Sequence, residues 1–184
     1  MTERNRNIVL AHGFNVKDGG KATLLCLTPY LDYDSKQIAA YGYFNLAKVR
    51  LCNDNVAGLI KGMTLNRSIG IGHSNGCAIL VRAAEMGATF DQLVLINPAL
   101  DNDTEFPAQV RKIFVYHNPT DSVVTISKLL LWHPWGDMGR VGYTGKDKRV
   151  TNIDLHERFG FTGHSGHMTY PEVLAADINN QINN

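Results

Sequence analysis

A serine between two glycines, in Gly72-His-Ser-Asn-Gly76, has the spacing that nucleophilic chemistry requires. It follows residues 68–72, an apolar run predicted to be a buried strand, and precedes residues 77–87, which have helical period and end on a glycine. A serine at such a turn has a strained backbone, and glycines two residues to either side let strand and helix approach closely. The pattern predicts Ser74 as a nucleophile, at a helix start whose dipole favours developing negative charge.

Two backbone N–H groups near Ser74 are predicted to bind an oxyanion. Acyl transfer through a tetrahedral intermediate needs two such donors, and loss of one typically costs about 3 kcal/mol. The N–H of Asn75, directly after the serine, is one candidate. The other is the N–H of Phe14, because His12-Gly13-Phe14 follows the first apolar run at 8–11. His12 is then interpreted as a residue that shapes the loop, although His-Gly alone would also suit an ordinary polar loop.

Short apolar runs alternate with segments of helical period along the chain. This alternation predicts one α/β domain over residues 1–184, with a mainly parallel sheet covered by helices on both faces. Strands are predicted at 8–11, 38–43, 68–72, 93–96, 113–116 and 150–155. Helices are predicted at 22–33, 46–62, 77–87, 123–132 and 171–182, and residues 133–149 are expected to be one long irregular segment.

Charge and cysteine content argue against several classes of protein. The chain has 18 basic and 17 acidic residues and a formal net charge of +1, so we expect no nucleic-acid or anionic-membrane partner. The apolar run at 8–11 is too short for a signal peptide or a membrane span, and we expect a cytoplasmic protein. Cys26, Cys52 and Cys77 fit neither a disulfide framework nor a zinc site, and we interpret them as small buried residues.

With His12-Gly13-Phe14 after the first strand and the Ser74 motif after the third, the chain resembles the α/β-hydrolase superfamily over nearly its whole length. It is most similar to the small esterases and lipases without a lid domain. That family orders its triad as nucleophile, acid and histidine. By this resemblance Asp121, in His-Asn-Pro-Thr-Asp, would be the acid, and His164, in Gly-His-Ser-Gly-His, the base. The resemblance implies hydrolysis of carboxylic esters through an acyl-serine intermediate, without cofactor or metal.

Several alternatives stay open at this point. His167 lies three residues after His164 and is an alternative base, and Asp101 or Asp103 could replace Asp121. The pair His164 and His167 could instead bind a metal, although no carboxylate or cysteine cluster is adjacent. The same triad would cleave thioesters or amides. The fold could also serve a cofactor-free lyase or perhydrolase, or a non-catalytic binding or regulatory protein.

We expect an open site, because only about a dozen residues separate Pro98 from Lys112, where many members of the family insert a helical lid. A small-molecule or polymeric ester is the expected substrate, and the oligomeric state is undetermined. Side chains that could form the walls of the site are Phe14, Phe106, Trp135, Met138 and Tyr143. Aromatic residues in a long loop can equally anchor that loop to the core.

Overall fold

The structure, a computed structural model, describes residues 7–14, 18, 22–39, 41, 49–64, 68–122 and 136–184. Within these ranges the strands are β1 (Asn7–Ala11), β2 (Ser35–Ala39), β3 (Ser68–His73), β4 (Phe90–Ile96), β5 (Lys112–His117) and β6 (Val150–Asp154). The α-helices are α1 (Val49–Met63), α2 (Asn75–Glu85), α3 (Met138–Val141), α4 (Leu155–Phe159) and α5 (Pro171–Asn183). Two 3₁₀ helices cover Leu25–Tyr30 and Gly166–Thr169.

The strands form one parallel sheet in the order β2-β1-β3-β4-β5-β6. The chain runs from β1 outward to β2 and then returns to place β3 on the other side of β1. The connections that leave β1 and β3 therefore separate at the carboxyl edge of the sheet. In open parallel sheets this reversal point is where ligands bind.

Each face of the sheet has its own apolar core, because successive residues of a strand point to opposite faces. On one face, Val9 and Ala11 pack with α1 and α2. On the other face, Ile8 and Leu10 pack with the 3₁₀ helix Leu25–Tyr30 and with α5. A strand covered on both sides has a continuous apolar run, as β1 has. The predicted α/β class, with a mainly parallel sheet and helices on both faces, is confirmed.

Most predicted elements coincide with observed ones to within a few residues at each end. The second strand was placed too late: it was predicted at 38–43 and is Ser35–Ala39. Its first residues are polar and exposed because β2 is an edge strand, so it has no long apolar run. Of residues 22–33, predicted as one helix, 25–30 form a 3₁₀ helix that contains Pro29, which cannot donate a backbone hydrogen bond.

Three short helical segments were not predicted: α3, α4 and the 3₁₀ helix Gly166–Thr169. Each has only four or five residues, too few to show helical period. The segment 133–149, expected to be irregular, therefore contains one helical turn. The predicted helix at 123–132 lies outside the described residues.

Residues 97–111 are all described and connect β4 to β5 without a helix, so no lid is inserted there. Among the helices of the described ranges, none combines the length and apolarity needed to cross a bilayer. The cysteine interpretation was only partly right: Cys77 is buried, whereas Cys26 and Cys52 are half-buried.

Candidate active site

Ser74 lies between β3 and α2 at the carboxyl edge of the sheet. Its backbone angles are φ 54° and ψ −124°, a positive φ that residues other than glycine seldom adopt. The Ser74 N–H donates to the carbonyl of Ile96 at 2.9 Å. The Ser74 carbonyl accepts from the N–H groups of Cys77 at 3.1 Å and Ala99 at 3.2 Å. Backbone hydrogen bonds thus hold the residue on both sides in this conformation.

The glycines around Ser74 allow backbones to approach more closely than any side chain would permit. A Cβ on Gly76 would come within 2.0 Å of the Ala11 carbonyl oxygen, and a Cβ on Gly72 within 2.9 Å of the Cys77 nitrogen. From the loop after β1, Gly13 packs on the serine itself, since a Cβ there would lie 3.1 Å from the Ser74 Cβ. Two neighbouring parallel strands therefore deliver their loops to one point.

His164 and Asp121 are in direct contact. The Nδ1 atom of His164 lies 2.6 Å from Oδ2 of Asp121. The Asp121 side chain is fully buried and that of His164 is 15% exposed. Because a carboxylate oxygen accepts, Nδ1 carries the hydrogen, and the neutral ring keeps its lone pair on Nε2. This is the tautomer that a general base for a serine needs.

His73 connects the base to the serine turn. Its Nε2 atom lies 3.3 Å from the backbone carbonyl oxygen of His164, and the two ring centroids are 4.9 Å apart. The residue before Ser74 therefore contacts both the backbone and the ring of His164. The structure thus gathers Ser74 after β3, Asp121 after β5 and His164 after β6 at one edge of the sheet.

The alternatives to His164 and Asp121 are placed differently. His167 is 1% exposed, and its ring centroid lies 5.1 Å from that of His73. The pKa of His167 is lowered to about 4, mainly by burial and to a smaller extent by the nearby His164. Among the described residues no carboxylate hydrogen-bonds to its ring. Asp101 and Asp103 are exposed in the loop after β4, and the carboxylate on His164 belongs to Asp121.

Of the two predicted oxyanion donors, Asn75 directly follows Ser74, and Phe14 lies in the loop after β1. Asn75 is the first residue of α2, and its side-chain amide pairs with that of Asn53 in α1 through bonds of 2.9 and 3.1 Å. The carbonyl oxygen of Gly13 lies 2.9 Å from Nδ1 of His12 and 3.3 Å from the hydroxyl of Tyr41. A peptide group is planar, so contacts that hold this carbonyl also fix the direction of the Phe14 N–H.

Comparisons with known proteins agree with the topology. No protein-family model and no curated protein sequence matches the chain. Among solved structures, one assigned to the alpha/beta hydrolase superfamily, from Xanthomonas campestris pv. campestris, aligns with a TM-score of 0.58 and 15% identity over 97% of this chain and 99% of that one. Lipase B of Aspergillus fumigatus gives 0.60 and 14% over 96% of this chain and 52% of its own. A serine hydrolase involved in carbazole degradation gives 0.54 and 12% over 98% and 91%.

The chain has the α/β-hydrolase fold. The resemblance drawn from His12-Gly13-Phe14 and the Ser74 motif is confirmed at this level. At such low identity the solved structures show the fold alone.

Sequence reasoning missed two buried asparagines, of which one bonds to Asp121 and the other to the loop that precedes His164. Asn97, at the end of β4, donates through Nδ2 to Oδ2 of Asp121 at 3.1 Å. Asn118, at the end of β5, donates to the carbonyls of Phe161 at 3.2 Å and Gly163 at 3.0 Å. Each begins an Asn-Pro dipeptide directly after a buried strand. That repeated pattern at the carboxyl edge was the available signal.

The predicted wall residues are mostly core residues. Phe106, Met138 and Tyr143 pack in the apolar core on one face of the sheet, and the rings of Phe106 and Tyr143 are 5.6 Å apart. The sequence left open whether these side chains form walls of the site or anchor the loop to the core. Phe106 and Met138 are buried, and the packing of all three favours the anchoring role. Phe14 is half-buried, and Trp135 lies outside the described residues.

The segment around α3 packs over the ends of β4 and β5. The Met138 N–H donates to the Leu100 carbonyl at 2.9 Å, and the Asn118 N–H donates to the Gly139 carbonyl at 2.8 Å. Within the described ranges, no group of three or more histidine, cysteine or acidic side chains has an arrangement that could hold a metal ion.

Proposed function

We propose that this chain is a serine hydrolase that cleaves carboxylic esters through an acyl-serine intermediate. The observation that carries the proposal is the 2.6 Å contact between His164 and the buried Asp121. His164 also contacts His73, the residue before a serine that is held at φ 54° between strand and helix. A positive φ at a serine costs about 1–3 kcal/mol, and such strain is found mainly at functional sites. A buried carboxylate facing a histidine is a second feature of such sites.

In the proposed reaction, Ser74 Oγ attacks the ester carbonyl while Nε2 of His164 takes its proton. The oxygen–carbon bond forms, and the carbonyl oxygen becomes an oxyanion facing the N–H groups of Phe14 and Asn75. The intermediate collapses, and the alcohol leaves with the proton from His164. Water then attacks the acyl-serine with His164 again as base, which releases the acid and restores Ser74. Asp121 stays ionised and stabilises the imidazolium.

The neighbouring histidines favour this charge distribution. Burial lowers the pKa of both His73 and His167, so near neutral pH both rings are uncharged. When His164 becomes an imidazolium, the rings beside it add no second positive charge. The charge on His164 is therefore stabilised mainly by Asp121, which lies in direct contact with it.

An ester is the substrate class we propose, of small-molecule or polymeric kind. The connection between β4 and β5 has no helix that would have to open before a large substrate binds. Thioesters and amides are alternatives for the same chemistry. A binding or regulatory role is a further alternative, but it would require neither the strained Ser74 nor the His164–Asp121 contact.

The proposal is tested with p-nitrophenyl esters of graded acyl length, together with a thioester and an anilide of the preferred acyl group. We expect turnover of esters that is lost in Ser74→Ala and reduced at least about a thousandfold in His164→Ala. His167→Ala is the matched control and should retain most of the turnover. Activity lost in His167→Ala but retained in His164→Ala would overturn the choice of base. Faster cleavage of the thioester or anilide would reassign the substrate class.

A further inference from the structure

Two side chains of the turn that carries Asp121 form hydrogen bonds with the backbone of the residue before His164. Asn118 and Thr120 belong to this turn, which closes with a bond of 2.9 Å from the Asp121 N–H to the Asn118 carbonyl. Across from it, Gly163 directly precedes His164 and has φ 71°. The two segments are more than 40 residues apart in sequence, so only tertiary contacts bring them together.

The contacts between the turn and Gly163 form a closed ring of hydrogen bonds. Gly163 donates its N–H to the Thr120 hydroxyl at 2.8 Å, and its carbonyl accepts from the Asn118 amide at 3.0 Å. The Thr120 hydroxyl in turn donates to Oδ1 of Asn118 at 2.8 Å. Both polar backbone groups of Gly163 are therefore held by side chains of the turn that carries Asp121.

Asn118 uses its whole hydrogen-bonding capacity in this arrangement. Its amide also donates to the Phe161 carbonyl at 3.2 Å, and its Oδ1 also accepts the Thr120 N–H at 3.0 Å. Two donor hydrogens and two acceptor lone pairs are thus satisfied, and the residue is fully buried. A buried amide with four partners has one orientation. The ring of hydrogen bonds therefore fixes the position of Gly163 relative to the turn that carries Asp121.

We infer that Asn118 and Thr120 are positioning residues that fix the position of His164 relative to Asp121. The inference rests on the proposed function, because it assigns the two residues a role in the same site. Neither touches the reacting atoms. They act by fixing the backbone from which His164 reaches Asp121, so loosening the ring should lengthen or disorder the 2.6 Å contact between those side chains. Small displacements of a catalytic base are costly in rate.

Thr120 offers a clean test, because it is exposed and its removal should leave the fold intact. Thr120→Val keeps the shape but removes the hydroxyl from the ring, whereas Thr120→Ser keeps the hydroxyl. We expect Thr120→Val to lower kcat about tenfold with KM little changed, and Thr120→Ser to restore it. Thr64→Val is a matched control, since it removes a threonine hydroxyl that bonds to the Lys61 carbonyl in α1. It should leave kcat unchanged.

A spectroscopic signature separates positioning from a general structural effect. The hydrogen on Nδ1 of His164, bonded to Asp121, should give a low-field proton NMR resonance, assigned by its absence in His164→Ala. We expect this resonance to broaden or vanish in Thr120→Val and to persist in Thr120→Ser and Thr64→Val. An unchanged resonance and unchanged kcat in Thr120→Val would overturn the inference. Because the resonance does not depend on turnover, it tests the ring even if wild-type protein hydrolyses no ester, which would contradict only the proposed function.

Discussion

The turn that carries Ser74 and the two loops that carry Asp121 and His164 are held in place by different kinds of contact. Around Ser74 the contacts are close approaches that depend on missing side chains: Gly76 lies against the Ala11 carbonyl, and Gly13 lies against the Cβ of Ser74. Around Asp121 and His164 the contacts come from side-chain amides and a hydroxyl, supplied by Asn97, Asn118 and Thr120. The first region depends on close packing around glycines together with backbone hydrogen bonds, and the second depends on side-chain hydrogen bonds.

This difference predicts different consequences of substitution in the two regions. Adding an atom near Ser74 should affect folding as much as activity, because backbone must move to make room. Removing a polar atom near Asp121 should affect activity more than folding, provided that the change keeps the shape. Variants in the two regions test this contrast.

Asp121→Asn should have the largest effect on activity. An amide cannot stabilise the imidazolium on His164, and it can turn its own N–H toward Nδ1, which favours the wrong tautomer. We expect kcat for the preferred ester to fall by about four orders of magnitude. The urea midpoint should change little, because shape and burial are conserved. A loss of less than about tenfold in kcat would contradict the assignment of Asp121.

Gly76→Ala should have the largest effect on folding. Its Cβ would lie 2.0 Å from the backbone carbonyl oxygen of Ala11, which no side-chain rotation relieves. We expect the free energy of unfolding in urea to fall by about 3–4 kcal/mol. Gly62→Ala is the matched control within α1, where a Cβ would have no neighbour within 4 Å. It should stabilise by about 0.5–1 kcal/mol. Equal effects of the two variants would refute the steric account.

His167→Leu should flatten the pH dependence of stability. Folding lowers the pKa of His167 from 6.5 to about 4, so between these values the unfolded chain binds more protons than the folded one. Above pH 6.5 the ring is neutral in both states and does not lower the free energy of unfolding. As the pH falls from 6.5 toward 4, the unfolded chain takes up a proton that the folded protein does not, and the free energy of unfolding decreases. A shift of this size corresponds to about 3 kcal/mol. We expect urea unfolding at pH 7, 5.5 and 4 to show a smaller loss in His167→Leu than in wild type, and an identical loss would contradict this burial effect.

Tyr41→Phe should have the smallest effect and belongs to the Ser74 region. It removes a hydroxyl that donates to the carbonyls of His12 and Gly13. The contact between His12 Nδ1 and the Gly13 carbonyl is retained. A less firmly held peptide would place the Phe14 N–H less well against an oxyanion. We expect kcat to fall about tenfold, with KM unchanged. Tyr30→Phe, on an exposed tyrosine, serves as the control. An unchanged kcat in Tyr41→Phe would show that this hydroxyl does not help to position the Phe14 N–H.

The two regions also differ in how far the sequence could predict them. The glycines around Ser74 are local to one strand and one helix, so their spacing predicted the turn, and the structure gives each a backbone neighbour that a side chain would hit. Asn118 bonds to a residue 45 positions away, and no periodicity links the two. Such contacts exist only once β5 and β6 pair and bring their following loops together.

Elements were predictable where burial produces a continuous apolar run, as in β1 and β5. Prediction failed at the edge of the sheet, where the polar start of β2 has no such run, and at helices of one turn. The roles of Met138 and Tyr143 could not be decided from the sequence, because an aromatic or apolar residue in a loop has the same pattern whether it lines a site or packs on the core.

Covalent labelling with a fluorophosphonate, mapped by mass spectrometry, tests the central proposal most directly. We expect one adduct on Ser74 of the folded wild-type protein, absent in Ser74→Ala, strongly slowed in His164→Ala and formed at nearly the wild-type rate in His167→Ala. That pattern would establish an activated serine with His164 as its base. No adduct on the folded wild-type protein, or an adduct on another residue, would contradict the proposal and favour a binding role for this α/β-hydrolase fold.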